Sequence, residues 1–150
     1  MTATKTTRRS DALWMLRRMR TIRQASERIA RLYPTDVMET PVHLCIGQEA
    51  VPAGVCRHLT DQDKLFLGHR THGPALAKGL PLPRFFAELY GRTTGCSKGL
   101  GGSMHLCDLE HGLPGSSAIV GGSIALGVGA GLAAKLSGAH YIGVSWFGDA

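Results

Sequence analysis

The chain has 150 residues, 17 basic and 11 acidic side chains, 43% apolar residues and 20 glycines. That length suits one domain with a buried core, and the glycine share is about twice the usual roughly 7%. The charge excess is local. Residues 1–33 hold nine basic side chains against Asp11 and Glu27, whereas residues 34–150 hold eight basic against nine acidic, so a generally basic, nucleic-acid-binding surface is disfavoured.

Residues 1–10 are polar and free of acids, a composition expected to be disordered. Over 11–33 the apolar positions Met15, Met19, Ile22, Ala25 or Ser26, Ile29 and Leu32 recur at helical spacing with arginines opposite, which predicts an amphipathic helix. Pro34 ends it, and 47–59 reads as a second helix with Pro52 near its first turn. A turn at Asp61-Gln62-Asp63 leads into a short apolar strand over 64–67, then a dense polar loop, Gly68-His69-Arg70-Thr71-His72-Gly73. A third helix is expected over 81–90, a glycine-rich, lysine-bearing loop over 91–102, and a fourth helix over 123–136. The apolar run 141–147 reads as a strand ending in Gly148-Asp149-Ala150. Alternating helices and short strands make the class α/β. A carboxylate at a strand end lies where open α/β sheets bind ligands, and it suits a cation or a hydroxyl.

No secretory signal precedes Cys45, Cys56, Cys96 and Cys107, so reduced thiols and a cytoplasmic location are expected. The apolar stretch 118–134 carries five glycines and Ser123 and falls short of the about 18 residues of a membrane span. No membrane partner is expected. The repeated tripeptide His43-Leu44-Cys45 and His105-Leu106-Cys107 invites a zinc reading, but no C-x-x-C accompanies it, and coincidence is the simpler account. Gly129-Ala130-Gly131-Leu132-Ala133-Ala134 satisfies a dinucleotide fingerprint, with Asp149 twenty residues after Gly129. Those glycines should occupy a strand-to-helix turn, however, and here the preceding residues already look helical. Inside a helix the pair would instead permit close packing against a neighbour. A Rossmann-type nicotinamide-binding domain stands as the lesser alternative.

Five motifs follow in order: His43-Leu44-Cys45-Ile46-Gly47-Gln48-Glu49-Ala50, His69-Arg70-Thr71-His72-Gly73, Gly95-Cys96-Ser97-Lys98-Gly99-Leu100-Gly101-Gly102-Ser103-Met104-His105, Ala118-Ile119-Val120-Gly121-Gly122 and Gly148-Asp149. From Met15 to Ala150 the chain resembles the α subunit of the thiamine-diphosphate-dependent dehydrogenase component of 2-oxo acid dehydrogenase complexes, whose members act on pyruvate, acetoin or branched-chain 2-oxo acids.

The resemblance implies the front part of a thiamine-diphosphate-binding fold, a parallel sheet flanked by helices, with 11–150 an incomplete domain of a longer subunit. It implies thiamine diphosphate and magnesium as cofactors, with Asp149 as a magnesium ligand and Arg70 paired with the diphosphate. Carboxylate oxygen suits magnesium, and a guanidinium forks onto phosphate. His69, Ala118, Val120, Gly148 and Ala150 match positions lining the cofactor, Val120 where a bulky aliphatic group supports its bent form. His43 and His72 match catalytic histidines near the mouth of the active site, where imidazole moves protons near neutral pH. Glu49 is expected to be structural, because the activating glutamate of the family comes from the β subunit. Ala150 replaces the second glycine of the usual Gly-Asp-Gly, and Ser123 and Ala125 stand where an amide and a proline are common. The implied reaction is oxidative decarboxylation of a small 2-oxo acid with acyl transfer to lipoamide. The implied partners are a β subunit, forming a heterotetramer, and a lipoyl-bearing acyltransferase. The 150-residue chain alone is expected to be inactive, a fragment that needs a second polypeptide.

Overall fold

The basic, periodic N-terminal stretch folds as one helix, α1 (Lys5–Leu32), in a computed structural model that describes residues 5–38 and 40–148. Its start lies inside the segment expected to be disordered: no glycine or proline interrupts residues 1–33, so nothing stops the helix short of Pro34. Ile22, Ala25, Ser26 and Ile29 are buried and the arginines lie outside that stripe. The chain then reverses through a short 3-10 turn, Tyr33–Thr35, closed by Asp36 in the left-handed region at φ 60°.

Helices α2 (Ala50–Cys56) and α3 (His72–Lys78) pack beneath α1 and against each other. The predicted second helix is shorter than its pattern, and α3 is an element that the pattern concealed. Every residue of α3 is buried, so it shows no amphipathic period, and Gly73-Pro74 in its first turn reads as a loop. Gly73 sits in a tight approach: a methyl group would stand 3.2 Å from Cys45 Sγ and 3.3 Å from Pro52. An ion pair between Arg57 and Asp11, with Trp14 under both Arg18 and Arg57, joins α2 to α1.

Strand β1 (Lys64–Leu67) is the centre of a three-stranded parallel sheet of order β2-β1-β3, with β2 Gly115–Ser116 and β3 Gly143–Ser145. Lys64 pairs with Gly143 and Phe66 with Ser145 on one side, and Phe66 with Gly115 on the other. Asp63 anchors the start of β1: its carboxylate accepts the N–H and hydroxyl of Thr60 and, at 3.0 Å, the N–H of Ile142 beside β3. Burial alone would raise the Asp63 carboxyl, but these hydrogen bonds and the Lys78 ammonium outweigh it and hold it below its ordinary value.

Helix α4 (Leu82–Leu89) starts at Pro81 and contributes Phe85 and Leu89 to the core with Leu65, Leu67, Leu76, Leu106 and Leu113. Helix α5 (Gly122–Ser137) covers β3 and β1, burying Ser123, Gly127 and Ala134. Gly127 makes the close approach, since a methyl there would overlap Ser145; nothing lies near Gly129 or Gly131. The expected glycine-pair packing is therefore corrected to Gly127. Ile124, Leu126, Val128, Leu132 and Leu136 of α5 are exposed. Among the described residues no helix is long and apolar enough to cross a membrane.

Candidate functional site

Strand order β2-β1-β3 sends the chain leaving β1 toward one side while β3 lies on the other, and the crevice between them is where open parallel sheets bind ligands. The carboxyl ends of β1 and β3 deliver Gly68-His69-Arg70 and Trp146-Phe147-Gly148 to that crevice, held together by Trp146 N–H donating to Phe66 O at 2.8 Å. Gly68 passes so close to the neighbouring strand that a methyl group would stand 3.3 Å from Trp146 O. Both ends, with Cys45 and Gln48 opposite them, line a cavity of about 330 Å³, within the ordinary range for small-ligand sites.

The motifs converge on this edge through specific bonds. Arg70 donates to Leu44 O at 2.9 Å, and Cys45 Sγ accepts the N–H of Gly73 at 3.4 Å, laying the His43–Glu49 segment across the loop after β1. Thr71 donates its hydroxyl to Ser103 O, and His72 Nε2 meets Ser103 Oγ at 2.7 Å, docking the glycine-rich loop from the other side. Ser123 donates to Trp146 O at 3.0 Å and Ser145 donates to Ser123 O at 2.8 Å, fixing the start of α5 to the end of β3.

His69, Arg70 and Gly148 line the cavity. Asp149 and Ala150 lie outside the described residues. Ala118 and Val120 are exposed on the loop before α5 and are not among the residues lining this cavity. His43 stands beside His69, ring centroids 5.0 Å apart and edge-on, with its Nδ1 buried and unpartnered. His72 departs most from expectation. Instead of standing at the mouth it is wholly buried against Phe85, at 5.0 Å between centroids, because α3 is sunk in the core. Burial, and secondarily the neighbouring His43, push its pKa down to about 4, so the ring is neutral at pH 7. Its Nδ1 has no partner.

Glu49 is buried and paired bidentately with Arg23, Nε to Oε1 at 2.6 Å, and accepts Gly47 N–H at 3.0 Å. The Arg23 hydrogen bond holds its carboxyl below the usual range. The four cysteines are free thiols, and burial raises the Cys56 thiol to about 12. Among the described residues one group has the proximity of metal ligands, Asp108, Glu110 and His111. Arg84 and the Asp108–His111 bond already occupy it. Neither His-Leu-Cys tripeptide contributes to it, and the Gly129–Gly131 fingerprint lies well inside α5 rather than in a strand-to-helix turn.

Sequence reasoning passed over Glu88 and Ser103, both essentially unexposed. Glu88 left no side-chain signal in the sequence, because its partners are backbone N–H groups of the glycine-rich loop.

Residues 17–150 match the family model described as the dehydrogenase E1 component. The chain is 44% identical over 138 residues to the α subunit of acetoin:2,6-dichlorophenolindophenol oxidoreductase of Bacillus subtilis, a match covering 92% of this chain and 41% of that one. It is 39% identical over 137 residues to the protein of the same name from Cupriavidus necator, covering 91% of this chain and 41% of the relative. It is 38% identical over 141 residues to the pyruvate dehydrogenase E1 component subunit α of Rhizobium meliloti, covering 94% and 40%. The chain therefore spans about two fifths of the length of these relatives. With this match over nearly its whole length, the chain belongs to the dehydrogenase E1 component family.

Proposed function

We propose that this chain forms the diphosphate-binding part of an E1 α subunit, acting with a β subunit in the oxidative decarboxylation of a 2-oxo acid, or the matching cleavage of acetoin. The observation that carries this reading is the cavity at the carboxyl ends of β1 and β3, lined by Arg70, His69 and Gly148. Its residues fit thiamine diphosphate. Arg70 offers a forked cation for phosphate oxygens, and the glycines at positions 68 and 148 let backbone approach an anion closely.

Thiamine diphosphate, when bound, supplies the carbon nucleophile and electron sink that decarboxylation of a 2-oxo acid requires. Arg70 anchors the diphosphate, and its bond to Leu44 O pre-orients the guanidinium. Asp149 serves as a carboxylate ligand of magnesium, following directly after Gly148. His43 and His69, stacked edge to face beside the cavity, handle protons and charge on the substrate side. His72 stands behind this edge as a buried, neutral imidazole. Acyl transfer to a lipoyl-bearing partner completes the proposed reaction.

The experiment is turnover by the α subunit containing this chain, assembled with its β subunit. Pyruvate, branched-chain 2-oxo acids and acetoin are each supplied with thiamine diphosphate, magnesium and 2,6-dichlorophenolindophenol as artificial acceptor. Dye reduction that requires both cofactor and metal is the expected outcome, and reduction that is indifferent to thiamine diphosphate would refute the reading. The 150-residue chain without a partner is expected to give none.

A further inference from the structure

Glu88 is 1% exposed, and its carboxylate collects four backbone donors. Oε2 accepts the N–H of Ser97 at 2.7 Å and of Gly99 at 2.9 Å; Oε1 accepts those of Gly101 at 2.8 Å and Gly102 at 3.1 Å. The loop is wound around this one side chain so tightly that a methyl group on Gly95 would overlap it. An acceptor-only group is required at its centre. Glutamine would turn an NH2 toward two of the four N–H groups, and aspartate is a methylene too short to reach them all.

The residue that follows the clamp is Ser103, unexposed and committed through all its polar groups. Its N–H donates to Thr40 Oγ1 at 3.1 Å, its carbonyl accepts the Thr71 hydroxyl, and its own hydroxyl meets His72 Nε2. His72 therefore has one ring nitrogen tied and the other, Nδ1, buried without a partner. A neutral imidazole held at a single nitrogen takes its ring orientation from that bond.

We infer that Glu88 and Ser103 are positioning residues for His72, the carboxylate fixing the glycine-rich loop so that the Ser103 hydroxyl sets the orientation of the imidazole. The inference rests on the reading of His72 as part of the thiamine-diphosphate site. It differs from a purely structural role for the loop in one respect: the two residues act on turnover only through the imidazole.

The test is a double-mutant cycle in the assembled α–β complex, with kcat and KM measured for wild type, Ser103→Ala, His72→Asn and the double variant. Ser103→Ala is expected to lower kcat about tenfold with KM little changed, and to cost nothing further once His72 is replaced. Equal fractional losses in both backgrounds, a loss confined to KM, or no loss overturns the inference. A second readout needs no turnover: carbethoxylation of His72 by diethylpyrocarbonate, followed by peptide mass spectrometry, alongside alkylation of buried Cys56. Glu88→Gln and Ser103→Ala are expected to raise His72 modification several-fold while Cys56 stays protected. Unchanged His72, or both residues exposed together, overturns it. A wild-type complex lacking thiamine-dependent turnover would remove the functional reading, and the modification pattern would still decide whether Glu88 and Ser103 hold the ring.

Discussion

Acidification should unfold this protein through His72 before it does so through its carboxylates. The imidazole is wholly buried between Phe85 and Ser103, and burial depresses its pKa to about 4, with His43 adding to the effect. In the unfolded chain the same ring titrates near 6.5. The folded-state pKa of a base is lowered, so the unfolded state binds the extra proton: stability is complete above about pH 6.5, falls as pH drops toward about 4, and levels below that. The gap between the two values corresponds to about 3 kcal/mol, with a slope approaching about 1.4 kcal/mol per pH unit inside the window. Urea denaturation followed by circular dichroism between pH 7.5 and 4, on wild type and His72→Gln, isolates this contribution as the difference in slope. Glu49 and Asp63, both held below their ordinary values, begin to lose their contributions as pH falls through the ordinary carboxylate range and go on losing them below it, equally in both proteins. Parallel stability curves for the two proteins would show that the ring is not held neutral, and the reasoning would fail.

Other perturbations have equally definite outcomes. Arg70→Ala should weaken thiamine diphosphate binding about 10- to 100-fold by calorimetry, the size of a lost charge-assisted pair, with Arg70→Lys retaining part of it. Gly127→Val places side-chain atoms into Ser145 and should cost about 1–3 kcal/mol, read from the urea midpoint. Maleimide at pH 8 should leave Cys45 and Cys56 unlabelled in the native protein, because both are buried and burial raises both thiols. Half-exposed Cys96 and Cys107 should react faster. The exposed apolar side chains of α5 should bind anilinonaphthalene sulfonate, and Leu132→Lys with Leu136→Lys should reduce the fluorescence.

The elements that announce themselves are those with one wet face. The stripe of α1 from Met15 to Leu32 and the apolar β1 are legible because burial alternates with exposure at a fixed period. Helix α3 leaves no such trace, since all seven of its residues are inside, and β2 is two residues long. The start of α1 was misjudged for a related reason: polar composition argues against a core, not against a helix. At the site, Arg70, His69 and Gly148 were legible as motif residues at strand ends. The depth of His72 was not, because it follows from the burial of α3. Glu88 was hidden differently. Its partners are backbone N–H groups 9 to 14 residues further on, and backbone partners leave no side-chain signature.

The central claim is that the edge formed by β1 and β3 holds the diphosphate of thiamine diphosphate through Arg70 and a magnesium-bound Asp149. Isothermal titration of the assembled α–β complex, comparing thiamine diphosphate with thiamine monophosphate and magnesium with excess chelator, measures it directly. The account predicts binding that needs both the second phosphate and the metal, and that Arg70→Ala and Asp149→Ala each weaken. Equal affinity for the two thiamine esters, or affinity untouched by chelator, would contradict it.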